Sequence, residues 1–448
     1  MKSMKKVLVL GAGRSSSSLI STLLARSESN GWEVHVGDVD LDTATLKCSG
    51  HPAAHPFEID PNDSSSRDAH IASSDLVISM VPAFMHPEIA EVAIEAGVSV
   101  ITPSYVSPQM KALHAKAVEA GVLILNEIGL DPGIDHLSAK AVLDRIADEG
   151  GEMLEFESYC GGLIAPESDD NPWHYKFSWN PRNVVLAGQG GAATFLSGGS
   201  ARLVPPHRTF QNAREVQVGG EIFEGYPNRD SIAYEETYGL GGIQTLIRGT
   251  LRGEGFCAGW DALVQLGCVR DDAPMTWKDG VTWAGWMRTF LPASLADLNV
   301  RLAVEKSCLA SEATLNRLEW LGLFSEDNGP TMLTGTPAQV IQSLLEEKWK
   351  LQPNDRDMIV MWHRFNYRQG NEIHEITSAL RLEGQDAVFT GMSNTVGWPV
   401  ALAAEAFLNG QFADRGVQVP LHRDYYSILL PALEEMGVKF EESHRICS

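Results

Sequence analysis

Cysteine is scarce. The 448 residues hold six, Cys48, Cys160, Cys257, Cys268, Cys308 and Cys447, and no C-x-x-C pair. That excludes a disulfide scaffold, argues against a zinc site, and makes a reducing, cytoplasmic setting the expectation. His51, His55 and His86 are not spaced as ligands with any partner acid, so no metal is expected. Basic residues are also few, 35 Lys and Arg against 58 Asp and Glu, for a net charge of -23. With no dense Lys/Arg run, a phosphate-backbone binder is excluded and nucleic acid is not an expected partner. Any anionic substrate needs local arginines to overcome this field. No apolar run approaches the roughly 18 residues of a membrane helix. The start, Met-Lys-Ser-Met-Lys-Lys, runs straight into a strand signal, so no signal peptide is expected. A membrane is not an expected partner either.

What remains is ordinary globular composition, 44% hydrophobic and 21% charged, long enough for two or three domains. The first 130 residues alternate strand and helix signals. Strands are predicted at Lys6–Leu10, Glu33–Gly37, Leu76–Val81, Ser99–Thr102 and Val122–Asn126, with helices between them. Short apolar strands alternating with helices predict an α/β, Rossmann-type, doubly wound parallel sheet. After Gly150 the text changes. A strand begins at Glu155–Tyr159, a helical region follows near 255–330, and Thr336–Lys350 is amphipathic. Asp357–Tyr367 and Glu372–Leu382, joined by Arg-Gln-Gly-Asn, read as a hairpin. A helix at Ala401–Leu408 precedes a tail that reads as irregular.

Gly11-Ala-Gly13-Arg14-Ser15-Ser16 follows the first strand and opens a helix. Gly11 permits the tight turn and Gly13 lets backbone approach a pyrophosphate at the helix N-terminus, with Arg14 and Ser15 alongside. Ser16 stands where the third glycine of the fingerprint is usual. Asp38 ends the second strand, where a carboxylate accepts from ribose hydroxyls and repels a 2′-phosphate. NAD is therefore the expected cofactor, and Arg14 keeps NADP open as the alternative.

Ligands in such sheets lie beyond the carboxyl ends of the strands. Three ends carry candidates: Ser79-Met-Val81-Pro82, Thr102-Pro-Ser104-Tyr105, and the run from Asn126 through Leu130 and Asp131 to Asp135-His136. Val81, Pro82, Ser104 and Leu130 are expected against the cofactor. Asp131, at the strand end itself, is the stronger catalytic candidate, while Asp135 is equally suited to capping the following helix.

The run Glu127-Ile-Gly-Leu-Asp-Pro-Gly-Ile-Asp-His136 resembles saccharopine dehydrogenase of the L-glutamate-forming kind, also called saccharopine reductase. The resemblance continues through Ser158-Tyr-Cys-Gly-Gly162, Ala165-Pro-Glu167, Asn171-Pro172, Tyr175-Lys-Phe-Ser-Trp179, Gly225-Tyr-Pro-Asn-Arg-Asp-Ser231, Arg248-Gly-Thr-Leu-Arg252 and Asp414-Arg-Gly-Val417. Ala83, Ile164 and Trp173-His174 depart from it. It implies a Rossmann domain over 1–130, completed by about 390–448. It also implies a mixed α/β substrate and dimerisation domain over 131–390, with an α-helical insertion over about 255–335. A homodimer and a small-molecule substrate follow from it. The implied reaction interconverts saccharopine with L-glutamate and 2-aminoadipate 6-semialdehyde in lysine metabolism.

By match to the family's motifs, Ser104, Tyr105, Asp131 and Cys160 border the reacting centre. Arg229, Thr250 and Arg252 hold substrate carboxylates, Leu251 is a further substrate-binding residue, and Trp179 lies near the nicotinamide. Saccharopine carries three carboxylates, which suits arginine's two parallel hydrogen bonds; Lys176 and Arg248 are further candidates. Proton transfers fall to Asp131, Tyr105 or Cys160, between which the residues do not choose. An imine reductase acting on a diamine, such as carboxyspermidine dehydrogenase, is the alternative, and a non-catalytic NAD-binding sensor is a third reading.

Overall fold

The computed structural model describes residues 4–447. The chain divides into two compact units: up to Gly150 together with Leu382–Phe440, and Gly151–Arg381 together with the segment from Glu441. The first boundary therefore lies after the helix Ile134–Asp148, not at residue 130, because that helix packs against the C-terminal helix Arg423–Glu435 of the same unit. The end of the chain also crosses over: Phe440–Ile446 joins the second sheet rather than completing the first.

The first unit is a seven-stranded sheet. Its strands are β1 (Lys5–Leu10), β2 (Trp32–Asp38), β3 (Ala54–Glu58), β4 (Leu76–Ser79), β5 (Ser99–Ile101) and β6 (Leu123–Leu125), with Gly416–Gln418 beside β6. The order is β3-β2-β1-β4-β5-β6 and then Gly416–Gln418, parallel at each pairing. This is the doubly wound order, with its reversal between β1 and β4. Val7, Leu8, Val9 and Leu10 are all fully buried, as expected for a strand covered on both faces. The sequence had hidden two strands, β3 and Gly416–Gln418, and the helix Arg423–Glu435 in the supposed irregular tail.

The helix expected at Ala401–Leu408 starts ten residues earlier and runs Gly391–Leu408, capped by Thr390, whose hydroxyl accepts from Ser393 N–H. It packs on the helix Ser17–Ala25. A Cβ on Gly397 would sit 2.5 Å from Leu19 N, so a glycine here supplies close helix packing. Ser18 Oγ donates to Asn394 Oδ1 at 2.6 Å across the same contact.

The second unit holds a nine-stranded mixed sheet. Its strands include β7 (Glu152–Ile164), β8 (Ala193–Ser197), β9 (Ser200–Val204), β10 (Arg214–Val218), β11 (Glu221–Pro227) and β12 (Thr245–Arg252). β7 is central, parallel to β12 and antiparallel to Asp357–Gln369, which forms the expected hairpin with Glu372–Glu383. The helical region is present as Phe256–Leu266, Trp283–Arg288, Val300–Cys308 and Glu312–Leu321, followed by Pro337–Lys348. Trp283 and Trp286 lie in its core.

Candidate active site

The Gly-rich turn leaves β1 at Leu10. Gly11 has φ +100°, and a Cβ there would crowd the Met80 carbonyl at 3.0 Å, so glycine is required. Its N–H donates to Gly37 O at 2.8 Å, tying the turn to β2. A Cβ on Gly13 would meet no atom within 4 Å; this side of the turn is open, as backbone approach by a pyrophosphate requires. Ser16, buried, donates through Oγ to Gly11 O at 3.1 Å. Arg14 is exposed and Ser15 half-buried at the start of the helical segment.

Asp38 is fixed beside this turn. Its Oδ2 accepts from Ala12 N–H at 2.6 Å and its Oδ1 from Asp40 N–H at 3.1 Å. Residues 39–46 carry no basic side chain, and the next base, Lys47, donates to Ser17 Oγ. Open backbone at Gly13 and a fixed carboxylate at the end of β2 fit the pyrophosphate and ribose of a dinucleotide.

The ends of β4, β5 and β6 hold the second cluster. Val81 is buried and Pro82 opens a short turn in which Phe84 is 80% exposed. His86, set aside in the sequence, is the buried hub. Its Nδ1 lies 2.8 Å from Ser79 Oγ, and its Nε2 lies 2.8 Å from Ser104 Oγ and 3.2 Å from Thr102 Oγ1. One imidazole thus links the ends of β4 and β5 and orients Ser104. Burial pushes the His86 pKa down to about 4. In the unfolded chain the ring takes a proton as pH falls through its ordinary 6.5, whereas the folded ring stays neutral. Stability is therefore complete above about pH 6.5 and falls toward pH 4, by about 3 kcal/mol in all. Thermal melting across this window is expected to show a flatter pH dependence in His86→Gln than in the wild type.

Tyr105 donates its hydroxyl to Asp131 Oδ1 at 2.7 Å, and both residues are half-buried. The turn after Asp131 leaves no room for a side chain at Gly133. Gly133 has φ +146°, and a Cβ there would fall 2.0 Å from Gly129 O. Leu130 is buried and bridges to Gly133 through backbone. Asp135, 1% exposed, accepts from Gly133 N–H at 2.6 Å. It serves the turn and helix start, leaving Asp131 as the accessible carboxylate. Glu127 braces the same loop, accepting from Val106 N–H at 2.9 Å and pairing with buried His136 at 2.8 Å.

In the second unit the prominent group is Arg252 at the end of β12, 5% exposed. Its guanidinium lies 5.2 Å from the Tyr175 ring centroid and 5.4 Å from that of Phe256. Nη1 donates to Leu251 O at 2.9 Å, while the buried Nε meets no acceptor among the described residues. A buried cation with an unmatched donor is costly unless an anion completes it. Cys160 and Cys257 are within electrostatic reach, and burial pushes the Tyr226 phenol up to about 12, so it stays protonated near neutrality. Trp179 Nε1 donates to Tyr175 Oη at 3.1 Å, which places Trp179 beside a ring that flanks Arg252. Thr250 pairs in register with Cys160 on β7 and accepts through Oγ1 from Asn228 Nδ2 at 2.6 Å.

The other expected substrate contacts have their own surroundings. Leu251 is fully buried in the sheet core, so its side chain is closed to a ligand and its carbonyl supports Arg252. Lys176 is held between Asp170 at 2.9 Å and Asp355 at 2.8 Å, an ion-pair role rather than substrate binding. Arg248 is buried with its guanidinium 4.1 Å from the Tyr234 ring centroid. Arg229 is exposed just past β11, and its carbonyl accepts from Thr194 N–H. No described helix is long and apolar enough to cross a membrane.

The chain is similar to known proteins along nearly its whole length. The family model "Saccharopine dehydrogenase NADP binding domain" matches residues 7–125, and "Saccharopine dehydrogenase C-terminal domain" matches residues 129–438. The chain is 35% identical to the saccharopine dehydrogenase (NADP(+), L-glutamate-forming) of Saccharomyces cerevisiae, over 98% of this chain and 99% of that protein. It is 31% identical to the mitochondrial alpha-aminoadipic semialdehyde synthase of Mus musculus, over 100% of this chain and 48% of that longer protein. The solved apo saccharopine dehydrogenase (L-Glu forming) from Saccharomyces cerevisiae superposes with TM-score 0.87 at 33% identity, covering 98% of this chain and 100% of that one. The chain therefore belongs to the saccharopine dehydrogenase family of nicotinamide-dependent oxidoreductases.

Proposed function

We propose that this chain is a saccharopine dehydrogenase of the L-glutamate-forming type, acting in lysine metabolism. The observation that carries the reading is Arg252, a buried guanidinium in an aromatic setting with its Nε unmatched. A substrate carboxylate completes that group, and a tricarboxylate fits an otherwise acidic protein only through such cations. Arg229 and Thr250 supply further carboxylate contacts. A diamine substrate needs acids in place of Arg252, which sets aside the carboxyspermidine-type alternative.

Gly11, Gly13, Arg14, Ser15, Val81, Pro82 and Leu130 hold the dinucleotide, and Trp179 contributes to the nicotinamide's surroundings. When bound, the nicotinamide supplies the acceptor for the hydride leaving the C–N carbon of saccharopine. The resulting imine takes up water and releases glutamate and the semialdehyde. Asp131 moves the protons of this hydrolysis, with Tyr105 holding its carboxylate and Ser104 orienting the substrate. Cys160 lines the site beside Thr250 and forms no covalent bond to substrate.

The cofactor we propose is NAD. Support comes from the Asp38 carboxylate fixed beside the Gly-rich turn, the acids Asp40 and Asp42, and the lack of a base in 39–46. This departs from the NADP(+) in the relatives' names. Saccharopine-dependent reduction, followed by the absorbance of the reduced nicotinamide, is expected to give a kcat/KM at least tenfold higher with NAD. A tenfold preference for NADP overturns the Asp38 argument. The reading also includes a homodimer, which light scattering checks, and a reducing cytoplasmic compartment, in keeping with six free thiols.

A further inference from the structure

Strand register brings together three side chains that the sequence keeps apart. Glu33 and His35 are two residues apart on β2 and so share one face of the sheet. His55 on β3 is the register partner of His35. The two imidazoles stack with centroids 4.6 Å apart and planes 27° from parallel. Glu33 lies against both rings: Oε1 is 3.0 Å from His35 Nε2, and Oε2 is 3.3 Å from His55 Nε2.

From this juxtaposition we propose that Glu33, His35 and His55 form a binding site for a divalent first-row transition cation of the zinc type. The set is two imidazoles and one carboxylate, donors that zinc, copper and nickel favour over the oxygen-only sites of magnesium and calcium. The spacing fits. Tetrahedral bonds of about 2.0–2.1 Å place neighbouring ligand atoms about 3.3 Å apart. Each imidazole Nε2 lies 3.0 or 3.3 Å from one oxygen of the Glu33 carboxylate, Oε1 for His35 and Oε2 for His55, and one ligand atom from each residue lies within 4.8 Å of the other two. The side chains are 19%, 46% and 29% exposed for His35, His55 and Glu33, so an ion reaches them from solvent and water completes the fourth position. One nearby cation opposes the ion, Lys6, the register partner of Glu33; its ammonium donates to Ser73 Oγ at 2.8 Å. The site lies on β2 and β3, away from the residues proposed for catalysis, so it is independent of the dehydrogenase reading. It also corrects the expectation that His55 has no acid partner.

Titration of the chelator-treated full-length chain with zinc chloride tests the proposal by calorimetry. One equivalent per chain is expected, with a zinc-dependent rise in melting temperature. Glu33→Gln and His55→Gln are each expected to weaken binding by more than the roughly 10- to 100-fold that losing a ligand's hydrogen-bond partner costs, and to abolish the rise. Because His55 is half-exposed at the sheet edge, its variant is expected to melt near the wild type without zinc. Cys447→Ser, which removes an exposed thiol, is expected to leave binding unchanged. Absence of binding, equal binding by wild type and both ligand variants, or loss of binding in Cys447→Ser would each overturn the site.

Discussion

Replacing Arg252 by leucine is expected to lower kcat/KM for saccharopine by about 10²- to 10³-fold, with the larger part in KM. The guanidinium is buried against Tyr175 and Phe256, and its Nε lacks an acceptor. A substrate carboxylate paired there is a desolvated, charge-assisted contact, and truncating one partner of such a pair costs about 2–5 kcal/mol. The contact is present in the bound substrate and the transition state alike, which places its loss in KM. Leucine fills much of the space without a charge, so the fold is expected to survive and dinucleotide affinity to stay unchanged. Arg252→Lys keeps the charge but loses the fork, and is expected to recover part of the activity. An Arg252→Leu variant with wild-type KM would remove this residue from the substrate site.

Asp131→Ala is expected to lower kcat/KM by about 10²-fold or more, the scale of a lost general acid or base. Here the loss falls in kcat, and fluorescence titration is expected to show intact NAD affinity. Tyr105→Phe provides the partner test. If Tyr105 acts by holding the Asp131 carboxylate at 2.7 Å, its removal matters little once Asp131 is alanine. The double variant is then expected to be no slower than Asp131→Ala alone by more than a few-fold. Unchanged turnover in Asp131→Ala would take the residue out of the chemistry.

Much of the first sheet was legible because its strands are short apolar runs between helices, and Val7–Leu10 could be nothing but a covered strand. β3 was not legible. It is an edge strand reading Ala-His-Pro-Phe-Glu, whose proline breaks the pattern and is tolerated at the sheet edge. Gly416–Gln418 has three residues, too few for any periodicity. Among site residues, the Gly-rich turn and Asp131 stood out by position at strand ends. His86 did not, because its role depends on Ser79, Thr102 and Ser104 converging from two strands. Arg252 read as a candidate from its motif, but its burial did not, since a charged residue by itself indicates surface. The burial of Leu251 and the ion pairs of Lys176 were hidden for a related reason. A neighbouring motif residue alternates into the core on a strand, and a lysine's two acidic partners lie elsewhere in the chain. The pairing of His35 with His55 is a matter of strand register, which no local sequence conveys.

The most direct test is product analysis of saccharopine incubated with the enzyme and NAD. Oxidation on the semialdehyde side is expected to release glutamate in equal amount to reduced nicotinamide, with no lysine formed. Release of lysine instead, or no reduction of either NAD or NADP, would contradict the assignment.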